Sequence, residues 1–162
     1  MITYQVEKYD DVITEIWPML EAHYLEIATD KEVKPFDPDL ERYISMADQD
    51  MLRIFTARDV FESDLDGDDA VYPGRLVGYF ISIVLPGLHY QQTIMAINDI
   101  MYLDPAHRGG TVGYRLIKLA TEDLKNLGAD ILTIHMKTDY PFRSLLRKLD
   151  FHLTEENWER VL

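Results

Sequence analysis

From Thr93 to Leu103 the chain is patterned as a strand, and after Asp104-Pro105 it passes at once into His107-Arg108-Gly109-Gly110-Thr111-Val112-Gly113-Tyr114 and an apolar helical stripe. A strand delivered into a helix through a glycine-rich turn commits this stretch to a layered fold, because the stripe must bury itself against the sheet. The turn also has a chemical consequence. Where glycines keep side chains away, backbone N–H groups can converge, and the helix that follows adds its unpaired N–H groups and the positive end of its dipole. A pyrophosphate suits such a place. Taken alone, the same residues also make an ordinary strand-to-helix turn, since glycine pairs are common in turns.

The rest of the chain supplies the partners this unit needs. Ile2, Tyr4 and Val6 alternate as an opening strand, and Asp10-Asp11 precedes Val12, Ile16, Leu20, Tyr24 and Ile27 at helical spacing, with Pro18 expected to kink or divide that helix. Beyond the break Pro35-Phe36-Asp37-Pro38, Leu40, Tyr43, Ile44 and Ala47 predict a second short helix, and Met51 to Ala57 a strand. Asp59 to Arg75 is acidic and reads as a solvated connection. The β-rich run Leu76 to Leu85 closes at Pro86-Gly87. After the glycine turn, Leu116, Leu119, Ala120, Leu124 and Leu127 form the helical stripe that Gly128 is placed to end, and Ile131 to Met136 reads as a strand. Asp139 is positioned to cap a last helix with Pro141 in its first turn and Phe142, Leu145, Leu146 and Leu149 as its buried face, and Phe151 opens a final strand. The order β, α, α, β, β, β, α, β, α, β, with no linker and no repeat, predicts one α/β or α+β domain over residues 1–162, its mixed, mostly antiparallel sheet flanked by helices.

Composition removes several function classes. With no cysteine among 162 residues, disulfides, thiolate metal sites and cysteine nucleophiles are excluded. A net charge of −13, from 29 acidic and 16 basic residues, argues against nucleic acid as a partner and fits a cationic one, although such acidity also serves solubility alone. The longest apolar run, Leu76 to Leu85, is shorter than the roughly 20 residues a spanning helix requires, and no basic, apolar leader opens the chain, so no membrane partner and a cytoplasmic location are expected. Asp64-Leu65-Asp66-Gly67-Asp68 matches part of a calcium loop, but Arg75 stands where that loop needs a bidentate glutamate. No metal site is expected, nor a serine nucleophile, since no Gly-x-Ser-x-Gly elbow is present.

The element order, the strand ending Met101-Tyr102-Leu103-Asp104-Pro105, the turn from Arg108 to Gly113 and the close Leu145-Leu146-Arg147-Lys148-Leu149-Asp150-Phe151 together resemble the GNAT superfamily of N-acetyltransferases. His23-Tyr24-Leu25-Glu26 and His135-Met136-Lys137 look like a GNAT branch common in bacteriophages and mobile bacterial elements, a branch that names no acceptor. The resemblance implies acetyl-CoA as co-substrate. Arg108, Val112 and Gly113 match the cofactor motif, while Thr111 stands where its first glycine is expected; the N–H groups of Gly109, Gly110, Thr111, Val112 and Gly113 would take the pyrophosphate. Backbone at Met101 and Leu103 would hold the pantetheine arm, and Asp139 falls where the family commonly has a cofactor-side asparagine.

For the chemistry, the resemblance implies direct attack by a neutral amine, so a proton must leave an ammonium first. Asp99 is the candidate to take it, on the same side of an ideal strand as Met101 and Leu103; a strand-end carboxylate bonded to backbone is its structural alternative, and a bulge would redirect it. At the family's usual thiolate-protonating tyrosine stands Leu146, which belongs to an apolar stripe; Tyr140 is the surrogate candidate. His23, Glu26 and His135 are the candidate acceptor-binding residues, with structural histidines as the alternative reading for the first and last. The expectation is an acetyl-CoA-dependent N-acetyltransferase acting on a primary amine of a small molecule or protein, with room for a homodimer. Its competitor is a silent GNAT-fold module that binds a protein partner and retains CoA.

Overall fold

Alternating strand residues build an antiparallel meander in the computed structural model, which describes residues 1–60 and 74–162. Strands β1 (Ile2–Glu7), β2 (Leu52–Asp59), β3 (Arg75–Pro86) and β4 (Ile94–Leu103) lie side by side in chain order, and β5 (Ile131–Thr133) adds to β4 in parallel. The result is the expected mixed, mostly antiparallel sheet with helices on both faces. Helices α1 (Tyr9–Ile27) and α2 (Leu40–Asp48) cover one face through Val12, Ile16 and Leu20 on Ile54, Tyr79 and Ile81. On the other face, α3 (Val112–Asn126) sets Leu116, Ile117, Ala120 and Leu124 against Phe55, Val77 and Phe80, with Leu145, Leu146 and Leu149 of the α4 region (Arg143–Lys148) packed beside them. Burying a side chain of this size contributes about 1.5–3 kcal/mol.

Local signals explain most boundaries. Asp10 and Asp11 occupy the first turn of α1, where they complement the helix dipole, and Asp39 caps α2 by accepting from the Arg42 N–H at 2.9 Å. Gly128, with φ +92°, ends α3 as read from the sequence. Helix α1 is not divided at Pro18: it runs unbroken for 19 residues, since burial of Val12, Ile16, Leu20 and His23 along one face outweighs one missing N–H.

Three expectations at the C-terminal end are corrected. The strand read from Ile131 to Met136 stops at Thr133, because its only pairing is Met95–Ile97 against Ile131–Thr133; His135 and Lys137 therefore lie beyond the sheet. Asp139 does not cap α4. It sits in a turn closed by the Tyr140 N–H on the Lys137 carbonyl, and Phe142 holds the cap position, its N–H directed to Met136 Sδ at 3.1 Å. No strand begins at Phe151. Its N–H closes α4 on the Leu146 carbonyl, Asp150 turns the chain at φ +61°, and a three-residue β5 offers too short an edge for further pairing. The partial calcium loop at Asp64 to Asp68 lies outside the described residues.

Candidate active site

At the C-terminal end of β4 the sheet changes character. β5 accompanies β4 only as far as Ile97, so from Asn98 to Leu103 β4 has no strand on that side among the described residues. The glycine turn sits at this end. A short 3-10 turn (Pro105–His107), capped by Asp104 accepting from the Ala106 N–H, leads into Arg108, and Gly109 then takes φ +81°, a value that favours glycine. The N–H groups of Gly109, Gly110 and Thr111 make no backbone bond among the described residues; those of Val112 and Gly113 open α3 and have no intrahelical partner. Above the turn there is room, since a Cβ placed on Gly109 or Gly110 would meet nothing within 4 Å. Below it, the first turn of α3 is seated: a Cβ on Gly113 would lie 3.5 Å from Leu145 Cδ2 and 3.7 Å from Met101 Cε. Thr111, exposed at the cap of α3, makes no side-chain cap bond. Five consecutive N–H groups thus lack backbone partners among the described residues, with open space beside Gly109 and Gly110, which fits the phosphates of a CoA-type ligand.

The Arg108 side chain is engaged elsewhere. Its Nη1 and Nη2 donate to the two oxygens of Glu26 at 2.6 and 2.7 Å, its Nε donates to the Leu103 carbonyl at 2.7 Å, and the guanidinium lies 5.3 Å from the Tyr102 ring centroid. The hydrogen bond from Arg108 holds the Glu26 carboxyl below its ordinary range. Tyr140, reached from beyond β5, donates its hydroxyl to the Glu26 backbone carbonyl at 2.9 Å. One residue near the end of α1 therefore bridges the gap between the β4 turn and the β5 loop. Glu26 is spent on this clamp, and the Leu103 carbonyl is occupied by Arg108.

A bulge decides the direction of Asp99. Ile81 pairs with Ile100 and Ser82 with Asn98, so Asp99 is the extra residue, and Asn98 Nδ2 donates to the Ile81 carbonyl across the irregularity. Asp99 consequently faces α2, where the Tyr43 hydroxyl donates to its Oδ2 at 2.5 Å, while Met101 packs on the α3 face. The expectation that Asp99 shares the side of Met101 is corrected by this extra residue. Nearby, a cavity of about 450 Å³ opens between α1, the segment leading to α2, and β4. Leu20, Tyr24, Ile27, Phe36, Tyr43 and Ile100 supply apolar wall, Asp37 and Asp39 acidic groups, and Lys34 and Lys137 basic ones.

His23 lines the same cavity. It is 8 % exposed, packs against Tyr102 with ring centroids 5.1 Å apart, and leaves Nδ1 buried without a partner among the described residues. Burial is the main cause that pushes its pKa down to about 4, with Arg108 adding to the effect and Glu26 opposing it, so at neutral pH the imidazole is uncharged. His135 is exposed and does not line the cavity. Leu146 is packed among apolar side chains of the α3 face, and Asp139 is exposed in its turn.

Tyr43 and Tyr79 escaped the sequence reading. Tyr43 showed only as one member of the apolar stripe of α2, and Tyr79 as part of an apolar run; the sole signal was a phenol in each place. Tyr79 is fully buried with its hydroxyl unpartnered among the described residues, and burial, then the charges of Tyr43, Tyr102 and Asp99, push that hydroxyl up. Among the described residues no helix is long and apolar enough to cross a membrane, and no group of three or more His, Asp or Glu could hold a metal ion.

No protein-family model and no curated protein matches the chain by sequence. Solved structures match it by shape. An aminoglycoside acetyltransferase from an uncultured soil metagenomic sample, in complex with trehalose, superposes with a TM-score of 0.68 at 16% identity over 99% of this chain and 94% of its own. A protein from Clostridium acetobutylicum described as a predicted acetyltransferase, solved with acetyl-CoA, gives 0.67 at 13% identity over 99% and 96%. An acetyltransferase from Trypanosoma brucei gives 0.68 at 15% identity over the full length of both chains. At such identities the likeness speaks for architecture, and what it establishes is that this chain has the fold of the GNAT acetyltransferases.

Proposed function

We propose that the chain is an acetyl-CoA-dependent N-acetyltransferase acting on a primary amine of a small molecule or protein. The observation that carries this reading is the row of N–H groups from Gly109 to Gly113 that have no backbone partner among the described residues, open at Gly109 and Gly110, at the end of a strand with no neighbour on its outer edge among those residues. Those donors would hold the pyrophosphate, and the β4 backbone near Met101 would hold the pantetheine arm. Two solved relatives in shape support the choice of ligand, one with acetyl-CoA and one with a bisubstrate analogue of CoA. When bound, acetyl-CoA supplies an activated acyl carbon and a sulfur that departs with the electron pair of the C–S bond.

The chain's own residues then have separable tasks. The cavity lined by Tyr43 and Ile100, the residue after Asp99, takes the acceptor, its apolar wall receiving the body of the amine while Asp37 and Asp39 offset Lys34 and Lys137. Asp99 takes the proton that the nitrogen must lose to attack. Arg108, through Glu26, ties the cofactor turn to the helix that walls the acceptor cavity, so both reactants are positioned against one rigid unit. Tyr140 can serve the departing sulfur only by giving up its bond to the Glu26 carbonyl. Water serves otherwise, because a thiolate is a good leaving group.

Calorimetry with acetyl-CoA tests the first half of the reading. Binding should be measurable and should weaken at least about tenfold in Arg108→Glu, which sets two carboxylates against each other beneath the turn. Absence of binding by the unaltered protein removes both cofactor and enzyme. Thiol release against a panel of amines tests the second half, with Asp99→Asn expected to lower turnover by about 100-fold. The apolar packing of Leu146 favours the competing reading, a silent module that retains CoA and binds a protein partner; binding without turnover on any amine would select it.

A further inference from the structure

The bulge turns Asp99 toward α2, but it does not fix the rotamer of the carboxylate. One side chain does. Tyr43 donates to Oδ2 at 2.5 Å, and Oδ1 has no partner among the described residues. Tyr43 is itself well anchored: its ring stacks on Tyr9 with centroids 6.3 Å apart and 11° between planes, and its helix is fixed at the start by the Asp39 cap. Burial first, then the charge of Asp99 and the bond to it, push the phenol up, so it remains a donor at every pH at which the protein would work. The buried hydroxyl of Tyr79, without a partner among the described residues, lies close enough for the charges of Tyr43 and Asp99 to act on it. Tyr43 and Ile100, the residue after Asp99, both line the cavity of about 450 Å³.

We propose that Tyr43 is a positioning residue for acetyl transfer, holding Asp99 through Oδ2 so that Oδ1 is presented to the acceptor nitrogen in the cavity. The proposal rests on the reading of Asp99 as the proton acceptor. The bound ammonium first gives one proton to Asp99 Oδ1; the neutral nitrogen then forms its bond to the acyl carbon, the C–S bond breaks with its electron pair going to sulfur, and the second proton from nitrogen passes through water to the departing thiolate. Tyr43 keeps its proton throughout. The groups that face this carboxylate are Tyr43 from α2 and Tyr79 from β3, with Tyr9 of α1 stacked behind Tyr43.

Tyr43→Phe removes the hydroxyl and leaves the stacked ring. Steady-state kinetics with an amine found active in the panel should show kcat reduced roughly tenfold, the scale of one hydrogen bond to a charged group, with calorimetric affinity for acetyl-CoA unchanged. The KM for the amine should stay within about twofold, because the ring that lines the cavity is retained and only the hold on the carboxylate is lost. In an Asp99→Asn background the same change should add little further loss. Tyr9→Phe, which touches the stack and not the carboxylate, should leave kcat within about twofold of the unaltered protein. If Asp99→Asn is impaired while Tyr43→Phe keeps the kcat of the unaltered protein, the role of Tyr43 falls and that of Asp99 stands. If Asp99→Asn is fully active, or no amine is turned over, the underlying reading falls and the role of Tyr43 falls with it.

Discussion

The two faces of the sheet are built on different principles. Against α3, the buried cluster of Phe55, Ala57, Val77, Phe80, Ala96, Leu116, Ile117, Ala120 and Leu124 is apolar, and its one strong ion pair, Arg53 with Asp123, sits toward the rim at 2.9 Å. Beneath α1 and α2, the core also encloses ionisable groups: Arg58 at 1 % exposure, His23 at 8 %, and the phenol of Tyr79. Arg58 is fully engaged there. It donates to both oxygens of Glu7 at 2.8 and 2.9 Å, to both oxygens of Glu15 at 2.9 and 2.8 Å, and to the Gly74 carbonyl at 2.9 Å. Burial opposes the charge on Glu7, but hydrogen bonds from Arg58 and Thr56 outweigh it and hold that carboxyl low. The difference teaches where specificity is stored. The α3 face is held mainly by apolar area, with Ser82 and Asn98 as its buried polar residues, while the other face encloses charged and titratable groups whose positions matter and places the candidate acceptor cavity among them.

The largest test of this contrast is Arg58→Met. Removing the cation strands Glu7 and Glu15 beside the core, and urea unfolding at pH 7 should show a loss of about 3–5 kcal/mol. A loss under about 1 kcal/mol would mean that the polar face tolerates deletion as readily as a surface does. On the opposite face, Leu124→Ala should cost about 3 kcal/mol through the cavity it leaves, and turnover per folded molecule should not change. Altered turnover there would show that the apolar face is not a passive support.

His23 gives the smallest and most diagnostic effect. Its pKa, near 4 folded against 6.5 ordinarily, means that the unfolded chain takes up the proton first as pH falls. This contribution to stability is complete above pH 6.5, is lost as pH falls from 6.5 to about 4, and changes no further below; it amounts to about 3 kcal/mol at most. Unfolding of His23→Gln and of the unaltered protein, compared at pH 7 and pH 4.5, should differ in slope by an effect of that order. Identical slopes would place His23 in a more open setting than its packing on Tyr102 implies.

Much of this architecture was legible in residue order. The stripe from Leu116 to Leu127, the end at Gly128, the strand before Asp104-Pro105 and the glycine turn are local patterns, and each forms close to where its residues indicate. The site was legible less evenly. The turn and Asp99 were singled out from sequence, but the direction of Asp99 was not, because a bulge is a property of two strands in register and leaves no mark in the alternation of one. The pairing of Arg108 with Glu26 joins residues 82 apart, beyond the reach of any periodicity. Tyr43 looked like packing because a phenol serves a stripe as well as a phenylalanine does. The expected final strand failed for the same reason in reverse: its residues suit a strand, and the edge that would have received it is three residues long.

By itself, then, the sequence determined the layered α/β architecture and the glycine turn with its open N–H groups, since both follow from the conformations and periodicity of neighbouring residues. Only the tertiary structure decided which groups meet at the site. Contacts such as Tyr43 with Asp99, Arg108 with Glu26 and Tyr140 with the Glu26 carbonyl depend on register and helix placement, which are set by the packing of the whole sheet.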